Sequence, residues 1–380
     1  MKHFLLILCL FVSAVIQAQV TGIVFDADTK EPLEYATIYC KAEGTGTVSN
    51  REGRFALFLK DPESEVAVSY MGYNTVKGTL SSNSEIPLRR ATILLATHTV
   101  TPIEEAKKIL KAVERQYRKN HHVNKAVCDV HLKQYDLADG KYVRAIDMMG
   151  ELEIPTAKEL KKTDRFRLSA VSAKIYVDTA TAISNAPPEG LFAVFSNPYI
   201  LVNILSLVPN KYDFHTTRIY QDNAVVYKID FSYKKEKKNS GRFSGTLFID
   251  EKTKAILEFR SHQDRSFVKG KRFKYNNEEF LFKLQDLGMR ISYLKTDNNE
   301  YLMSYAIVYT RALLNEEKRE VNIVLTNTNF NKSDFKNEHP IDISLDLGYQ
   351  LYYMDLTEPT FNLNKILPTK KELEFFEKNK

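Results

Sequence analysis

Hydrophobic and polar positions alternate along most of this chain, and the period of the alternation divides it. Between residues 20 and 98, short apolar runs recur between turn residues, the spacing of an all-β unit. Val20–Phe25, Ala36–Cys40, Gly53–Phe58 and Val66–Tyr70 are the first four predicted strands, and Tyr73–Val76 and Glu85–Leu95 supply the remainder. Asp26–Glu31 is a turn, Gly44 and Gly46 mark a tight loop, and Gly72 breaks the chain before Tyr73.

A linker at His98–Pro102 precedes a change of period. Ile103, Ala106, Ile109, Leu110, Val113 and Tyr117 fall on one face of a predicted helix over Ile103–Tyr117. Thr101 is its expected cap, Pro102 suits the first helical position, and Glu104 and Glu105 favour the positive end of the helix dipole. The period then becomes two. Cys128, Val130 and Leu132 alternate with Asp129, His131 and Lys133, and Val225, Tyr227, Ile229, Phe231 and Tyr233 form the clearest strand. Leu247–Ile249 and Ile256–Phe259 flank a polar hairpin turn, and further strands are expected near 280–282, 289–294, 301–309 and 321–326. This pattern predicts a large antiparallel sheet with one covered face. Gly190–Val208 interrupts it with a crowd of apolar residues around Pro198, read as one or two short helices that cover the sheet together with the first. Core packing and the lining of a ligand cavity both fit that cluster; Leu191, Phe195, Tyr199, Leu201 and Leu205 are its candidate ligand-binding residues.

The first residues carry an address. Lys2 precedes an apolar run, Phe4–Ile16, with Ala18 as a small residue before Gln19, the order of a secretory signal peptide over residues 1–18. The run is shorter than a bilayer-spanning helix needs, and no later stretch is apolar enough to span. Export to the periplasm or an outer-membrane association is therefore expected. Cys40 and Cys128 remain in the mature chain, where a disulfide and two buried thiols are both compatible with the sequence. Roughly 360 mature residues exceed one ordinary core, so two or three domains are expected. The composition, 43% hydrophobic and 27% charged, is that of a folded protein, and a net charge of +6 over this length is a weak bias. It suits an anionic membrane surface without demanding nucleic acid, a partner that export also argues against.

Residues 20–98 resemble the carboxypeptidase regulatory-like domain of Bacteroidetes envelope proteins. The resemblance rests on Gly22-Ile-Val-Phe-Asp26, Glu31-Pro-Leu33 with Ala36-Thr-Ile38, the run from Gly46 to Phe55, and Val68-Ser-Tyr-Met-Gly-Tyr73. Gly22 and Gly53 are expected at chain reversals, and Phe55, Leu57 and Val68 on the inner face. The resemblance implies a seven-stranded, transthyretin-like sandwich with a non-catalytic role. In that family the domain often heads larger proteins, including outer-membrane import receptors, whose barrel the remaining length is too short to hold. The remainder more weakly resembles the segment that follows this domain in uncharacterised envelope proteins. Its Gly245–Ile256 hairpin is also similar to half-barrel lipoprotein carriers, which bind acyl chains between a curved sheet and its helices.

Catalytic patterns are absent. A zinc carboxypeptidase needs His and Glu three residues apart, and none of the eight histidines has Glu at that position. There is no H-E-x-x-H, no G-x-S-x-G, no Walker loop and no G-x-G-x-x-G. His121-His122, at a helix end, is expected in solvent. Glu151 and Glu153 share a strand face expected to be exposed, and Cys128 is expected as an inert buried thiol. The basic runs Lys234–Lys238 and Lys269–Lys274 are expected as hairpin loops.

The expected fold is mainly β with some α: a sandwich at 20–98, an α+β domain with a large curved antiparallel sheet at 101–355, and a charged tail at 356–380. The expected function is a non-enzymatic, cofactor-free envelope binding or docking protein. An outer-membrane or periplasmic protein and a lipid-like ligand are its candidate partners. A structural assembly subunit and an unrecognised hydrolase are the alternatives.

Overall fold

A computed structural model describes residues 18–94, 102–121, 125–156, 159, 165–178, 200, 202–234, 242–266, 269–275, 278–296, 300–330, 332, 334–357 and 365–379. The expected signal peptide, Ala18 apart, and the Thr101 cap lie outside this set.

The N-terminal unit is a sandwich of seven strands. β1 (Ala18–Asp26) lies between β4 (Arg54–Leu59), antiparallel to it, and β7 (Ser84–Leu88), parallel to it. The facing sheet runs β3 (Thr45–Val48), β2 (Thr37–Cys40), β5 (Val66–Ser69), β6 (Val76–Gly78). Alternate residues of each strand fill the space between: Val20 and Val24, Phe55, Leu57 and Leu59, Ile38 and Cys40, Val66 and Val68 are all buried in one cluster. The quoted sequence pattern has a structural cause. Asp26 closes its own turn by accepting from the amides of Asp28 and Thr29 at 2.8 and 3.0 Å. It also accepts from Tyr73 Oη at 2.7 Å, tying the second motif to the first. Gly53 has φ +73°, as expected at a reversal. Gly22 does not: it sits within β1 opposite Phe55, where a Cβ would lie 2.4 Å from the Ser84 carbonyl oxygen and 2.8 Å from the Phe55 ring. Close approach, not reversal, requires glycine there. Of the two loop glycines, Gly44 turns the chain with φ +62°, while Gly46 belongs to β3.

β8 (Thr92–Leu94) leaves the sandwich and pairs with β12 (Tyr212–Gln221) at one edge of a second, larger sheet. The other strands of that sheet are β9 (Ala126–Ala138), β10 (Lys141–Ile154), β11 (Arg167–Val177), β13 (Ala224–Tyr233), β14 (Arg242–Asp250), β15 (Ile256–Asp264), β16 (Lys271–Tyr275), β17 (Glu278–Lys295), β18 (Tyr301–Leu314), β19 (Glu317–Asn329) and β20 (His339–Ile341). The order is β20–β11–β10–β9–β19–β18–β17–β15–β14–β13–β12–β8, antiparallel throughout, with β16 on the far half of β17. The end strands β20 and β8 do not pair with each other, so the sheet stays open. The basic run expected as a loop at Lys269–Lys274 is largely strand β16.

One face of this sheet carries helix α1 (Pro102–Asn120) and the helical residues 202–207. Ala106, Ile109, Leu110, Val113 and Tyr117 of α1 enter a core with Leu132, Ile146, Phe231, Phe259, Ile291 and Leu325. Each such fully buried large side chain contributes roughly 1.5–3 kcal/mol. The opposite face differs from expectation. Part of its polar surface is covered rather than solvated, by the sandwich around Glu258, Arg290 and Tyr305 and by the C-terminal segment over β9 and β10.

Candidate functional site

Strand alternation places Phe259 in the helix-bearing core and Glu258, Arg260 and His262 on the opposite, outer face. In the same way Arg290 projects outward between Met289 and Ile291, and Tyr305, Ile307, Tyr309 and Arg311 project outward from β18. Register aligns Thr246, Arg260, Arg290, Ile307 and Val324 in one row across five strands. Two arginines directly opposite each other on one face repel. Glu258, 1% exposed, lies beside them. It accepts from Arg260 Nε, from Arg290 Nε at 2.9 Å and Nη2 at 3.1 Å, and from Tyr305 Oη at 3.1 Å. Burial alone would raise its pKa. The guanidinium charges of Arg260 and Arg290 outweigh that and hold its carboxyl below the usual range. Burial opposes the charge of Arg290 as well, and the Glu258 carboxylate keeps its pKa well above ordinary.

The sandwich completes this arrangement. The Tyr70 ring lies 5.1 Å from the Arg290 guanidinium, which packs against Tyr305 at 5.2 Å on its other contact. Tyr35 stacks on Tyr305 with centroids 5.8 Å apart, from a backbone in the left-handed region (φ 61°), unusual for a bulky residue. Thr37 Oγ1 and Ser304 Oγ are 3.2 Å apart, Phe330 N donates to Gly44 O at 2.7 Å, and Asn329 pairs with Thr45. The two units therefore pack together rather than hang on a linker.

Where they meet, a cleft of about 560 Å³ opens over the row. Glu34, Tyr35 and Arg51 form the sandwich wall, and Arg260, Arg290, Ile307, Tyr309, Arg311, Glu320 and Asn322 belong to the sheet. Arg51 donates to Glu34 at 3.1 Å and Arg311 to Glu320 at 3.3 Å. Arg290 uses Nε and Nη2 on Glu258, and Arg260 only Nε; Arg260 Nη2 is buried without a hydrogen-bond partner. The cleft can thus attract and orient an oxyanion.

The C-terminal segment forms a second polar assembly on β9 and β10. α3 (Lys370–Lys378) starts with a capping box between Thr369 and Glu372. An intervening helix, α2 (Leu347–Tyr352), precedes it in the chain. Glu372 also accepts from Lys133 Nζ at 3.3 Å and Tyr135 Oη at 2.8 Å. His131 accepts the Ile366 amide proton at Nδ1 (2.9 Å), which leaves Nε2–H to donate to Asp147 Oδ1 at 2.7 Å. Phe376 stacks on Tyr176 at 4.1 Å. The segment expected as a charged tail therefore contains buried side chains, Glu372, Phe375 and Phe376.

Of the candidate ligand-binding residues, Leu191, Phe195, Tyr199 and Leu201 lie outside the described residues. Leu205 is fully buried beside Val202 in the core that also holds Phe231 and Phe259, with Tyr227 packed against it. Cys40 and Cys128 are free thiols in separate cores, and burial pushes the Cys128 thiol well up. His121 is not in solvent: it is 1% exposed and stacks on Tyr117 at 4.6 Å. Glu151 and Glu153 are also buried: Lys332 Nζ, after β19, reaches Glu151 at 2.8 Å, and Glu153 pairs with Lys125 at 3.2 Å and Arg167 at 3.6 Å. Sequence reasoning missed Glu258, Arg260 and Arg290. Their signal was charge at outward strand positions where an exposed face needs no arginine opposite arginine.

Comparison with known proteins accounts for the first unit. Residues 20–101 match the CarboxypepD_reg-like domain. The chain is thus a β protein in which a CarboxypepD_reg-like sandwich is packed on a large open antiparallel sheet. No curated protein matches it. Among solved structures it is similar to a domain described as an outer membrane lipoprotein-sorting protein from Vibrio parahaemolyticus, at 10% identity over 61% of this chain and 96% of that one, with a TM-score of 0.25. It is also similar to the MucA/MucB complex of Pseudomonas aeruginosa, at 10% identity over 67% of this chain and 100% of that one, with a TM-score of 0.20. At such values neither likeness assigns a role.

Proposed function

We propose that this chain is a non-enzymatic docking protein of the cell envelope, exported to the periplasm or the periplasmic side of the outer membrane, that holds a protein partner at the cleft between sandwich and sheet. The observation that carries this reading is the interlock of Arg290 with Glu258, Tyr305 and Tyr70, which fixes two units as one body and leaves guanidinium edges at their junction. The signal-peptide pattern and the CarboxypepD_reg-like domain support the location. Among the described residues no helix is long and apolar enough to cross a membrane. Carboxylates at the cleft face arginines, which favours binding over general-base chemistry. The apolar-carrier alternative gains no such support, since Phe231 and Phe259 occupy the core beside Leu205.

The test is affinity purification from the native envelope after crosslinking, comparing the wild-type chain with an Arg51→Glu, Arg311→Glu double variant. Both side chains are about half exposed, 45% and 56%, so the fold should tolerate the change. A stoichiometric partner held by the wild type and lost by the folded variant supports docking at the cleft. Equal recovery by both places docking elsewhere.

A further inference from the structure

We infer that the cleft recognises a carboxylate-bearing peptide segment, seated on the guanidinium edges of Arg260 and Arg290; this rests on the docking reading and gives it a chemistry. Arg260 and Arg290 are cross-strand neighbours that share a single carboxylate, Glu258, so one positive charge stays uncompensated on the floor. Elsewhere in the lining each arginine has its own acid, Arg51 with Glu34 and Arg311 with Glu320 and with Asp286 at 3.7 Å, so the excess positive charge is local to Arg260 and Arg290. Arg260 Nη2 is sealed from the cleft and has no hydrogen-bond partner among the described residues, so the anion is met by the exposed part of the Arg260 side chain, 36% accessible.

The guanidinium planes are already held. Arg290 packs against both Tyr70 and Tyr305, and Arg260 packs on Phe248 at 5.2 Å. Side chains ordered before binding lose little entropy on binding, and a fixed planar fork suits a planar carboxylate through paired N–H donors. The remaining lining selects among anions. Ile307 and Tyr309 lie in the floor and offer apolar contact beside the charge. A cleft of about 560 Å³ has room for several side chains, the span of a peptide rather than of a lone ion.

The test uses the folded chain, residues 19–380, and a short fluorescent peptide of alternating Asp and Leu, with an Asn-for-Asp counterpart. Inorganic phosphate and phosphatidylglycerol vesicles serve as competitors. The inference expects saturable anisotropy with the Asp peptide and binding at least about tenfold weaker with the Asn peptide, as the loss of a charge-assisted hydrogen bond implies. Arg260→Gln should weaken the Asp peptide by roughly tenfold or more with an unchanged circular dichroism spectrum. Arg311→Gln provides a second, more exposed variant with the same expectation, and Arg272→Gln on β16, outside the cleft, should change nothing. Equal binding of the two peptides, no binding at millimolar protein, or phosphate or vesicle binding without peptide binding overturns the inference. If the peptides fail while a partner still depends on Arg51 and Arg311 in the envelope, docking stands and the carboxylate chemistry falls. Loss of both removes the docking reading too.

Discussion

Replacing Glu258 with glutamine keeps the shape of the side chain and removes the charge that Arg260 and Arg290 share. The cost follows from the geometry. Arg290 loses a two-pronged carboxylate contact at 2.9 and 3.1 Å while its side chain remains only 15% exposed. Removing one partner of such a buried pair typically costs about 3–5 kcal/mol, because the other charge stays behind unpaired. The Arg260 contact adds little, since that side chain is 36% exposed and screened by water. The Tyr305 hydrogen bond, at 3.1 Å, survives to an amide oxygen. The expected loss is therefore about 3–5 kcal/mol, a large part of an ordinary domain's stability. Urea unfolding followed by circular dichroism reads it, and hydrogen exchange locates it at β2, β3, β17 and β18. A Glu258→Met, Arg290→Met double variant should recover most of the loss, because apolar replacement of a whole buried pair is often neutral. A Glu258→Gln loss under about 1 kcal/mol, or a double variant no better than the single, refutes the role given to this interlock.

Three other outcomes are expected. Gly22→Ala should destabilise the sandwich by about 1–3 kcal/mol or more, since its Cβ meets the Ser84 carbonyl at 2.4 Å; an unchanged melting temperature contradicts this. Phe376→Ala should cost about 3–5 kcal/mol locally, freeing the C-terminal segment to proteolysis before the core unfolds, and simultaneous loss of both would show that the segment is not a separable clasp. Acid should loosen the same segment. Burial holds His131 below its ordinary pKa despite Asp147, with Lys133 and Lys365 also lowering it, so as pH falls below about 6.5 the unfolded chain gains a proton that the native site resists. Asp147 is held below its usual range, burial being outweighed by His131 and the two lysines, so its contribution is lost at still lower pH, below about 4. The protection factors of the amides of residues 366–378, which divide out the intrinsic pH dependence of exchange, should fall from pH 7 to 5, and His131→Gln should flatten that fall; pH-independent protection in the wild type contradicts it.

The elements were legible where one face met solvent or core in simple alternation. The sandwich strands, the α1 helix and the β14–β15 hairpin follow from apolar periodicity and turn residues alone. Legibility failed where a polar face is buried. His131, Lys133 and Asp147 alternate with apolar neighbours as an exposed face would, and only the distant residues 365–378 and the sandwich reveal that they are covered. The same limit hid the cleft: Glu258 and Arg260 neighbour each other on β15, but Arg290 comes from β17, and only strand register brings it to them. Gly22 was misplaced for a related reason, since its need for glycine comes from a ring and a carbonyl on two other strands rather than from its own dihedral angle. The apolar cluster at 190–208 drew attention because it is contiguous, yet contiguity does not separate core from cavity, and Leu205 is core.

The most direct measurement is in-cell photocrosslinking with a photoreactive residue at Tyr309, in the cleft, and in parallel at Tyr352, 78% exposed on α2 beside the exposed Tyr349 and Tyr353. The account predicts a discrete protein adduct from position 309 that Arg260→Gln diminishes, and none from position 352. Adduct formation from 352 with none from 309 would mean that the exposed tyrosines, not the arginine cleft, are the docking surface.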